Sequence, residues 1–306
     1  MSDYAIGVDL GGTNLRAGAV DSAGRMFDTV SGSTPVGAGR NAIISDIVRS
    51  IETIQARTKG NFAGTGIGIP GFILMETGVV AGAPNLPEFV NYPVRDEIEK
   101  RLGSQVILEN DANAAALGEK WIGAGRDVDS LVLLTLGTGI GGGIILDGRI
   151  VHGYLGMAGE LGHITISPNG YPCGCGNRGC VEKYASATAV SAMARLLNLG
   201  HDLSSEDVFH LAAGGNERAR SIFRTVGESL GTALANLINT LNAPLYLLGG
   251  GLLGAWDLFS PAMFSELEQR SFIYRTHPPR IERAQLGNQA GLYGAAYLPL
   301  QSVSNR

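Results

Sequence analysis

The chain has few cysteines, no long apolar run and little excess charge. All three cysteines lie within residues 173–180, a distribution that argues against a disulfide framework. There is no run of 18 apolar residues and no basic start followed by an apolar stretch. We therefore expect a cytoplasmic protein without a membrane partner. The formal net charge of -5 provides no basic field for phosphate backbones, so nucleic acid is not an expected partner either.

The commonest phosphate-binding motif is also missing. No Gly-Lys dipeptide occurs, which excludes the Walker P-loop because that motif needs a lysine after its last glycine. The dinucleotide pattern GxGxxG matches at several positions, among them those starting at Gly66, Gly137 and Gly174. That fingerprint requires a helix after its last glycine. Pro70 interrupts the first match and a β-branched stretch follows the second, so nicotinamide binding is disfavoured.

Apolar runs and glycine turns alternate along the 306 residues, a length that can bury two cores. Period-2 and short buried runs predict strands, and period-3.6 runs predict helices. The predicted strands cover residues 4–10, 15–21, 63–69, 106–111, two runs within 131–150, and 246–251; the predicted helices cover 40–57, 112–123, 183–198, 217–241 and 290–300.

One pattern occurs twice. A strand, a glycine turn and a second strand surround Gly11-Gly12-Thr13, and the same order returns about 128 residues later around Gly137-Thr138-Gly139. Internal duplication is the economical interpretation. We expect two hinged α/β domains, 1–120 joined by the C-terminal helix 289–302, and 121–288, which carries the cysteines.

The two repeated turns are candidate phosphate sites. Successive backbone N–H groups in a tight turn form an anion-binding concavity, and Thr13 and Thr138 each add a hydroxyl donor. Asp9 is placed to reach a magnesium ion. Either turn alone would read as a plain hairpin, but one such turn in each half favours phosphate binding.

Asp111 is a candidate catalytic carboxylate. It follows a predicted strand and precedes a predicted helix, and open α/β sheets place their ligands at the carboxyl ends of strands. Phosphoryl transfer to a hydroxyl uses a carboxylate that accepts the hydroxyl proton. Asp is equally suited to be the helix N-cap, and the residues alone leave both interpretations open.

The cysteines form the pattern CxCxxxxC at Cys173, Cys175 and Cys180. Thiolates at such short spacings are typical of a zinc site with four tetrahedral ligands. A fourth ligand must come from elsewhere, and His163 and His152 are the upstream candidates.

Five segments resemble the ROK family of bacterial sugar kinases over nearly the whole chain: DLGGTNLRAGAV, ENDANAAALGE, LGTGIGGGIILDG, GELGH and CGCGNRGC. This resemblance implies a two-domain actin-like, hexokinase-like ATPase fold, built from duplicated ribonuclease H-like domains with an interdomain cleft. It also implies ATP with magnesium, bound between the two hairpins.

The resemblance assigns roles to residues at matching positions. It implies that Asp111 is the base and that His163 is the fourth ligand of a structural zinc ion beside Cys173, Cys175 and Cys180. The implied nucleotide-binding residues are Asp9, Gly11, Gly12, Thr13, Asn14, Gly137, Thr138, Gly139, Gly249, Gly250 and Gly251. The implied sugar-binding residues are Gly71, Asn85, Asn110, Asp111, Glu160, His163 and Glu182.

The expected reaction is ATP-dependent phosphorylation of a neutral hexose, because three carboxylates in the sugar site would repel an acidic substrate. Glucose, giving glucose 6-phosphate, is the first candidate; N-acetylglucosamine, N-acetylmannosamine, mannose and fructose remain alternatives. A sugar-responsive regulator without catalysis is the rival class. Because the DLGGT motif begins at residue 9, we do not expect a DNA-binding helix-turn-helix domain ahead of it. Family members are commonly dimers or tetramers, so we expect a homo-oligomer.

Overall fold

The computed structural model describes residues 3–83 and 85–304, which form alternating strands and helices. The strands are β1 Asp3–Leu10, β2 Asn14–Asp21, β3 Met26–Ser33, β4 Asn61–Ile69, β5 Phe72–Leu74, β6 Val79–Gly82, β7 Val106–Asn110, β8 Leu131–Leu136, β9 Ile140–Leu146, β10 Arg149–Ile150, β11 Leu245–Gly249 and β12 Arg280–Arg283. The α-helices are α1 Arg40–Arg57, α2 Val94–Leu102, α3 Asp111–Ile122, α4 Glu182–Ala185, α5 Ala187–Leu196, α6 Ser205–Ala213, α7 Glu217–Leu241, α8 Trp256–Arg270, α9 Phe272–Thr276 and α10 Ala290–Ser304.

These elements group into two compact units. The first contains the described residues up to 129, residues 143–159 and the described residues from 285 onward; the second contains residues 130–142 and 160–284. The domain limits expected from the sequence, 1–120 with 289–302 and 121–288, stay a prediction. Among the described helices, none combines the length and apolar character needed to cross a bilayer.

The sheet of the first unit has the strand order β3-β2-β1-β4-β7. Strand β1 is antiparallel to β2 and parallel to β4, which is in turn parallel to β7. Asp9 therefore lies opposite Gly68, and Ile69 lies opposite Asn110, near the carboxyl ends of three neighbouring parallel strands. This edge of the sheet carries several of the residues expected to bind ligands.

The second five-stranded sheet has the order β10-β9-β8-β11-β12. In both sheets, the first three strands of the sheet follow each other in reverse chain order and are followed by the fourth and fifth strands. Strand β8 occupies the position of β1, and β9 occupies that of β2. Strand β11 runs parallel to both β8 and β12. The identical order confirms the duplication that the two glycine turns predict.

Glycines bring the last helix unusually close to the first sheet. Helix α10 packs against β1, β4 and α3. A Cβ atom on Gly7 would lie 2.1 Å from the Leu292 carbonyl oxygen, and one on Gly66 would lie 2.0 Å from that of Ala295. These distances are far below van der Waals contact, so residues without side chains are required where the helix crosses the strands.

The predicted helix over residues 183–198 is wrong in one respect. The segment forms two helices, α4 and α5, with Ser186 between them in an extended conformation. The Ser186 hydroxyl accepts a hydrogen bond from the Ala189 N–H at 3.1 Å and so caps α5. Serine favours this local bond over continuing a helix, which hydrophobic periodicity alone does not reveal.

Candidate functional site

Helix α3 begins at Asp111, but its N-cap is the preceding residue. The Asn110 side-chain oxygen accepts hydrogen bonds from the N–H groups of Ala112 at 2.9 Å and Asn113 at 3.1 Å. The interpretation of Asp111 as the N-cap is therefore wrong. The Asp111 carboxylate accepts a bond from the Ala112 N–H at 2.9 Å, and burial raises its pKa above the ordinary aspartate value. This half-buried carboxylate is not needed for capping and is therefore available for chemistry.

Asn110 has little hydrogen-bonding capacity left for a ligand. Its oxygen caps α3, and its amide nitrogen donates to the Gly71 carbonyl at 3.1 Å. Gly71 has φ +114, and a Cβ there would lie 2.2 Å from the Gly82 carbonyl oxygen, so only glycine fits. Of the two N–H groups that an amide carries, one is left to a ligand.

Glu109 and His152 stabilise the junction between β7 and α3. The sequence predicted this role for neither residue. Glu109, 2% exposed, accepts bonds from the Asn110 N–H at 2.9 Å and the Asn113 amide nitrogen at 3.0 Å. Its other oxygen lies 2.7 Å from His152 Nε2, and this hydrogen bond raises the pKa of His152. His152 as a possible fourth metal ligand is therefore wrong. Only the position of Glu109 beside Asn110 and Asp111 signals its role in the sequence.

Asp9 lies at the same edge of the sheet. Its carboxylate is 3.7 Å from the Arg16 guanidinium. Burial, and next the negative charge of Asp111, raise the pKa of Asp9 to about 6, while Arg16 opposes the shift. A divalent cation bound to Asp9 would offset this repulsion, so Asp9 is the candidate for holding magnesium.

The first glycine turn is closed by a bond from the Gly11 N–H to the Asn14 carbonyl at 2.8 Å. Thr13 and Asn14 are exposed, so their side chains can reach a ligand. A Cβ on Gly12 would lie 3.2 Å from the Asn85 Cβ. Asn85, expected to bind sugar, thus lies directly beside the turn expected to bind phosphate.

The second glycine turn has an equivalent closure, from the Gly137 N–H to the Gly139 carbonyl at 2.9 Å. Thr138 is exposed at its tip. Glu182 lies against this turn: one of its oxygens accepts a bond from the Ile140 N–H at 3.0 Å and would be 2.5 Å from a Cβ on Gly139. The predicted sugar ligand therefore has one carboxylate oxygen bound to the predicted phosphate turn.

The glycines after β11 lie next to the same strand end. Gly250 has φ +91, and a Cβ there would be 2.4 Å from the Leu136 carbonyl oxygen, the last residue of β8. Gly249 is buried, whereas Gly250 and Gly251 are exposed. The second unit thus brings the Gly137–Gly139 turn and the Gly249–Gly251 turn together.

His163, Cys173, Cys175 and Cys180 form a compact cluster, with all four candidate ligand atoms within 4.8 Å of one another. The Cys175 and Cys180 sulfurs are 3.7 Å apart, as are the Cys173 sulfur and His163 Nδ1. Ligands in a tetrahedral zinc site with 2.3 Å bonds are separated by about 3.8 Å, so this donor set fits zinc and is too widely spaced for a disulfide. Burial, reinforced by the neighbouring sulfurs, raises the pKa of Cys180 to about 12, so this thiol needs a cation to ionise at neutral pH.

The second nitrogen of His163 faces away from the sulfurs. Nε2 lies 3.8 Å from a carboxylate oxygen of Glu160, which is partly exposed. A metal bound to Nδ1 would fix the imidazole ring and leave Nε2 beside Glu160. A bound metal would thus hold Glu160 and His163 as a pair next to the cluster.

Comparison with known proteins gives a consistent result. The model of the ROK family matches residues 5–302. A glucokinase of Halalkalibacterium halodurans is 37% identical over all of this chain and 98% of its own, and a glucokinase of Thermotoga maritima is 40% identical over 95% of each chain. The crystal structure of a ROK family glucokinase from Streptomyces griseus in complex with glucose and AMPPNP has a TM-score of 0.82 and 34% identity, covering 97% of this chain and 99% of that one.

Proposed function

Because the chain belongs to the ROK family, we propose that it transfers the terminal phosphoryl group of ATP to glucose. It has the actin-like, hexokinase-like ATPase fold, with the two equivalent five-stranded sheets described above. The observation that carries the proposal is the state of Asp111. Its carboxylate is half-buried, its pKa is raised and the capping of α3 is left to Asn110, which suits a general base.

In the proposed reaction a sugar hydroxyl attacks the terminal phosphorus of ATP in line with the leaving oxygen. The new bond joins the sugar oxygen to phosphorus, and the bond between phosphorus and the bridging oxygen of ADP breaks. The hydroxyl proton passes to the Asp111 carboxylate. A raised pKa makes this carboxylate a stronger proton acceptor than an exposed aspartate.

The nucleotide residues divide between the two units. We assign phosphate binding to the turns at Gly11–Asn14 and Gly137–Gly139, and contact with the nucleoside to the Gly249–Gly251 turn. Asp9 is the candidate for holding magnesium, which, when bound, neutralises charge on the phosphates.

We assign sugar binding to Gly71, Asn85, Asn110, Asp111, Glu160, His163 and Glu182. Two of them are already engaged in part: Asn110 has one amide N–H left, and one oxygen of Glu182 bonds the Ile140 N–H. Carboxylates and amides that share vicinal hydroxyls suit a neutral sugar. Zinc bound at the cysteine cluster would position His163 and the segment leading to Glu182.

The decisive measurement is ADP release in a coupled assay with glucose, N-acetylglucosamine, N-acetylmannosamine, mannose and fructose. We expect the highest kcat/KM with glucose, and phosphorus NMR of the product should show glucose 6-phosphate. Turnover of another hexose with glucose inactive would replace the substrate but keep the reaction. Absence of turnover with all five would overturn the proposal.

Asp111→Asn tests the role of the base separately. The substitution preserves shape, so glucose binding should persist while kcat falls roughly 10²- to 10⁴-fold. A kcat near that of the wild-type protein would show that another group accepts the proton.

We also propose that the protein is a cytoplasmic homo-oligomer, a dimer or tetramer, in keeping with the family resemblance. Light scattering during size-exclusion chromatography should give a mass of at least two chains of 31.9 kDa. A single-chain mass at micromolar concentration would contradict this.

A further inference from the structure

Thr34 follows β3 and lies outside every motif of the sequence. It is 8% exposed. Its hydroxyl donates to the Gly11 carbonyl oxygen at 2.7 Å, and its backbone N–H donates to the Thr13 carbonyl oxygen at 2.9 Å. One residue thus binds two carbonyl groups of the first glycine turn.

These two bonds fix the direction of the neighbouring amides. The peptide bond is planar and trans, so the C=O and N–H of one peptide unit point in opposite directions. With the Gly11 carbonyl turned toward Thr34, the Gly12 N–H of the same peptide unit is directed away from it. Within the described chain, the N–H groups of Gly12 and Thr13 donate to no backbone carbonyl. They remain available to an anion.

The segment that begins at Thr34 also contacts a residue close in the chain to Asn85, which is expected to bind sugar. The Gly37 N–H donates to a Glu88 carboxylate oxygen at 2.9 Å, and Glu88 lies three residues after Asn85, which contacts Gly12. The segment 34–37 therefore binds the glycine turn at its first residue and Glu88 at its last.

We propose that Thr34 is a positioning residue of the phosphate-binding turn, whose hydroxyl orients the Gly11–Gly12 peptide so that its amide meets a phosphate oxygen of the nucleotide. This inference rests on the proposed function. A purely structural threonine would stabilise the end of β3 without affecting nucleotide affinity, and this difference can be measured.

The experiment compares Thr34→Val, which keeps the shape and removes the hydroxyl, with Thr34→Ser, which keeps the hydroxyl. Thr240→Val is the matched control, because the Thr240 hydroxyl also donates to a backbone carbonyl, that of Asn236 at 2.7 Å in α7. Calorimetric titration with AMPPNP measures nucleotide affinity without turnover, and steady-state kinetics separates KM for ATP from KM for glucose.

Loss of one orienting hydrogen bond should weaken AMPPNP binding by Thr34→Val about three- to tenfold and raise KM for ATP by a similar factor. KM for glucose should stay within about twofold, and Thr34→Ser and Thr240→Val should bind AMPPNP like the wild-type protein. If Thr34→Val does not fold, Thr34→Ala serves as the second variant and should show the same weakening.

Unchanged AMPPNP affinity in a folded Thr34 variant without the hydroxyl would overturn the inference. Equal losses in ATP and glucose affinity, accompanied by a lower Tm, would likewise assign Thr34 a structural role only. Failure of the wild-type protein to bind AMPPNP is a distinct result, which would overturn the proposed function and this inference with it.

Discussion

Asp111 is half-buried and accepts few hydrogen bonds that would stabilise its charged form. Burial disfavours the carboxylate, and the Ala112 N–H only partly offsets that cost. The neighbouring Asn110 and Glu109 accept most of the backbone N–H groups around it. The residues that keep the turn in place are therefore different from the residue assigned to accept a proton.

The raised pKa of Asp111 predicts where activity is lost in acid. The base must be ionised, so kcat/KM for glucose should fall as pH drops through the pKa of Asp111 in the folded protein. Because that pKa lies above the ordinary value of about 3.9, the fall should begin at a higher pH than for an exposed aspartate. A pH–rate profile between about pH 4.5 and 9 measures this; a rate that stays constant down to about pH 4.5 in a folded protein would contradict it.

At the scale of secondary-structure elements, the last turn of α3 contains a buried carboxylate. Glu119 is 0% exposed, and it accepts bonds from the N–H groups of Ala124 at 2.9 Å, Gln285 at 3.1 Å and Leu286 at 2.7 Å. It thus joins the end of α3 to the segment that leads into α10. The sequence shows Glu119 only as a favourable helix residue, since the partners from 285 and 286 are far away in the chain.

Glu119→Gln should destabilise the first unit by about 2–4 kcal/mol, because the amide turns a donor toward a backbone N–H and leaves buried groups unpaired. Chemical unfolding followed by circular dichroism measures the loss. Glu52→Gln on the exposed side of α1 is the control and should change stability by less than about 0.5 kcal/mol. Equal effects of the two substitutions would show that the Glu119 bonds contribute little.

The His152–Glu109 pair predicts a pH-dependent contribution to stability. A histidine with a raised pKa in the folded state stabilises the protein below its unfolded pKa of about 6.5, and this contribution is lost as pH rises through the folded pKa. The Tm difference between wild type and His152→Gln should therefore be larger near pH 6 than near pH 9.

His210→Gln is the control for that measurement, because His210 is exposed on α6 and lies 4.0 Å from the nearest Glu206 oxygen. Its Tm difference from the wild type should be small at both pH values. A His152→Gln effect independent of pH would mean that the pair acts only by neutral hydrogen bonding.

Across the whole molecule, the prediction from sequence succeeded where signals are local and repeated. The two glycine turns predicted the duplication, and α1 and α7 have the predicted limits. Bonds between distant residues left no local signal: His152 reaches Glu109 across 43 positions, and Thr34 reaches Gly11 across 23. Whether such bonds form depends on which side chains are buried and on where they point. Hydrophobic periodicity in the sequence specifies neither. The roles proposed for the individual sugar and nucleotide residues stay predictions.

The proposal that zinc binds the cysteine cluster predicts a property of the whole protein. Metal analysis should find about one zinc per chain. Cys175→Ser, or prolonged treatment with a chelator, should lower Tm and raise KM for glucose more than KM for ATP, because bound zinc would position His163 beside Glu160. Full glucose affinity in a zinc-free protein would contradict a positioning role for the metal.

The close packing of α10 on β1 also constrains the order of events during synthesis. Strand β1 is translated well before α10, yet Gly7 and Gly66 leave room for a helix that lies about 285 and 229 residues further along. At 5–20 residues per second, β1 waits roughly 15 to 60 s for this helix. The residues of the second unit, which end at 284, are all translated before that helix emerges. In the growing chain, β1 therefore lacks this covering helix until the residues of the second unit have been translated.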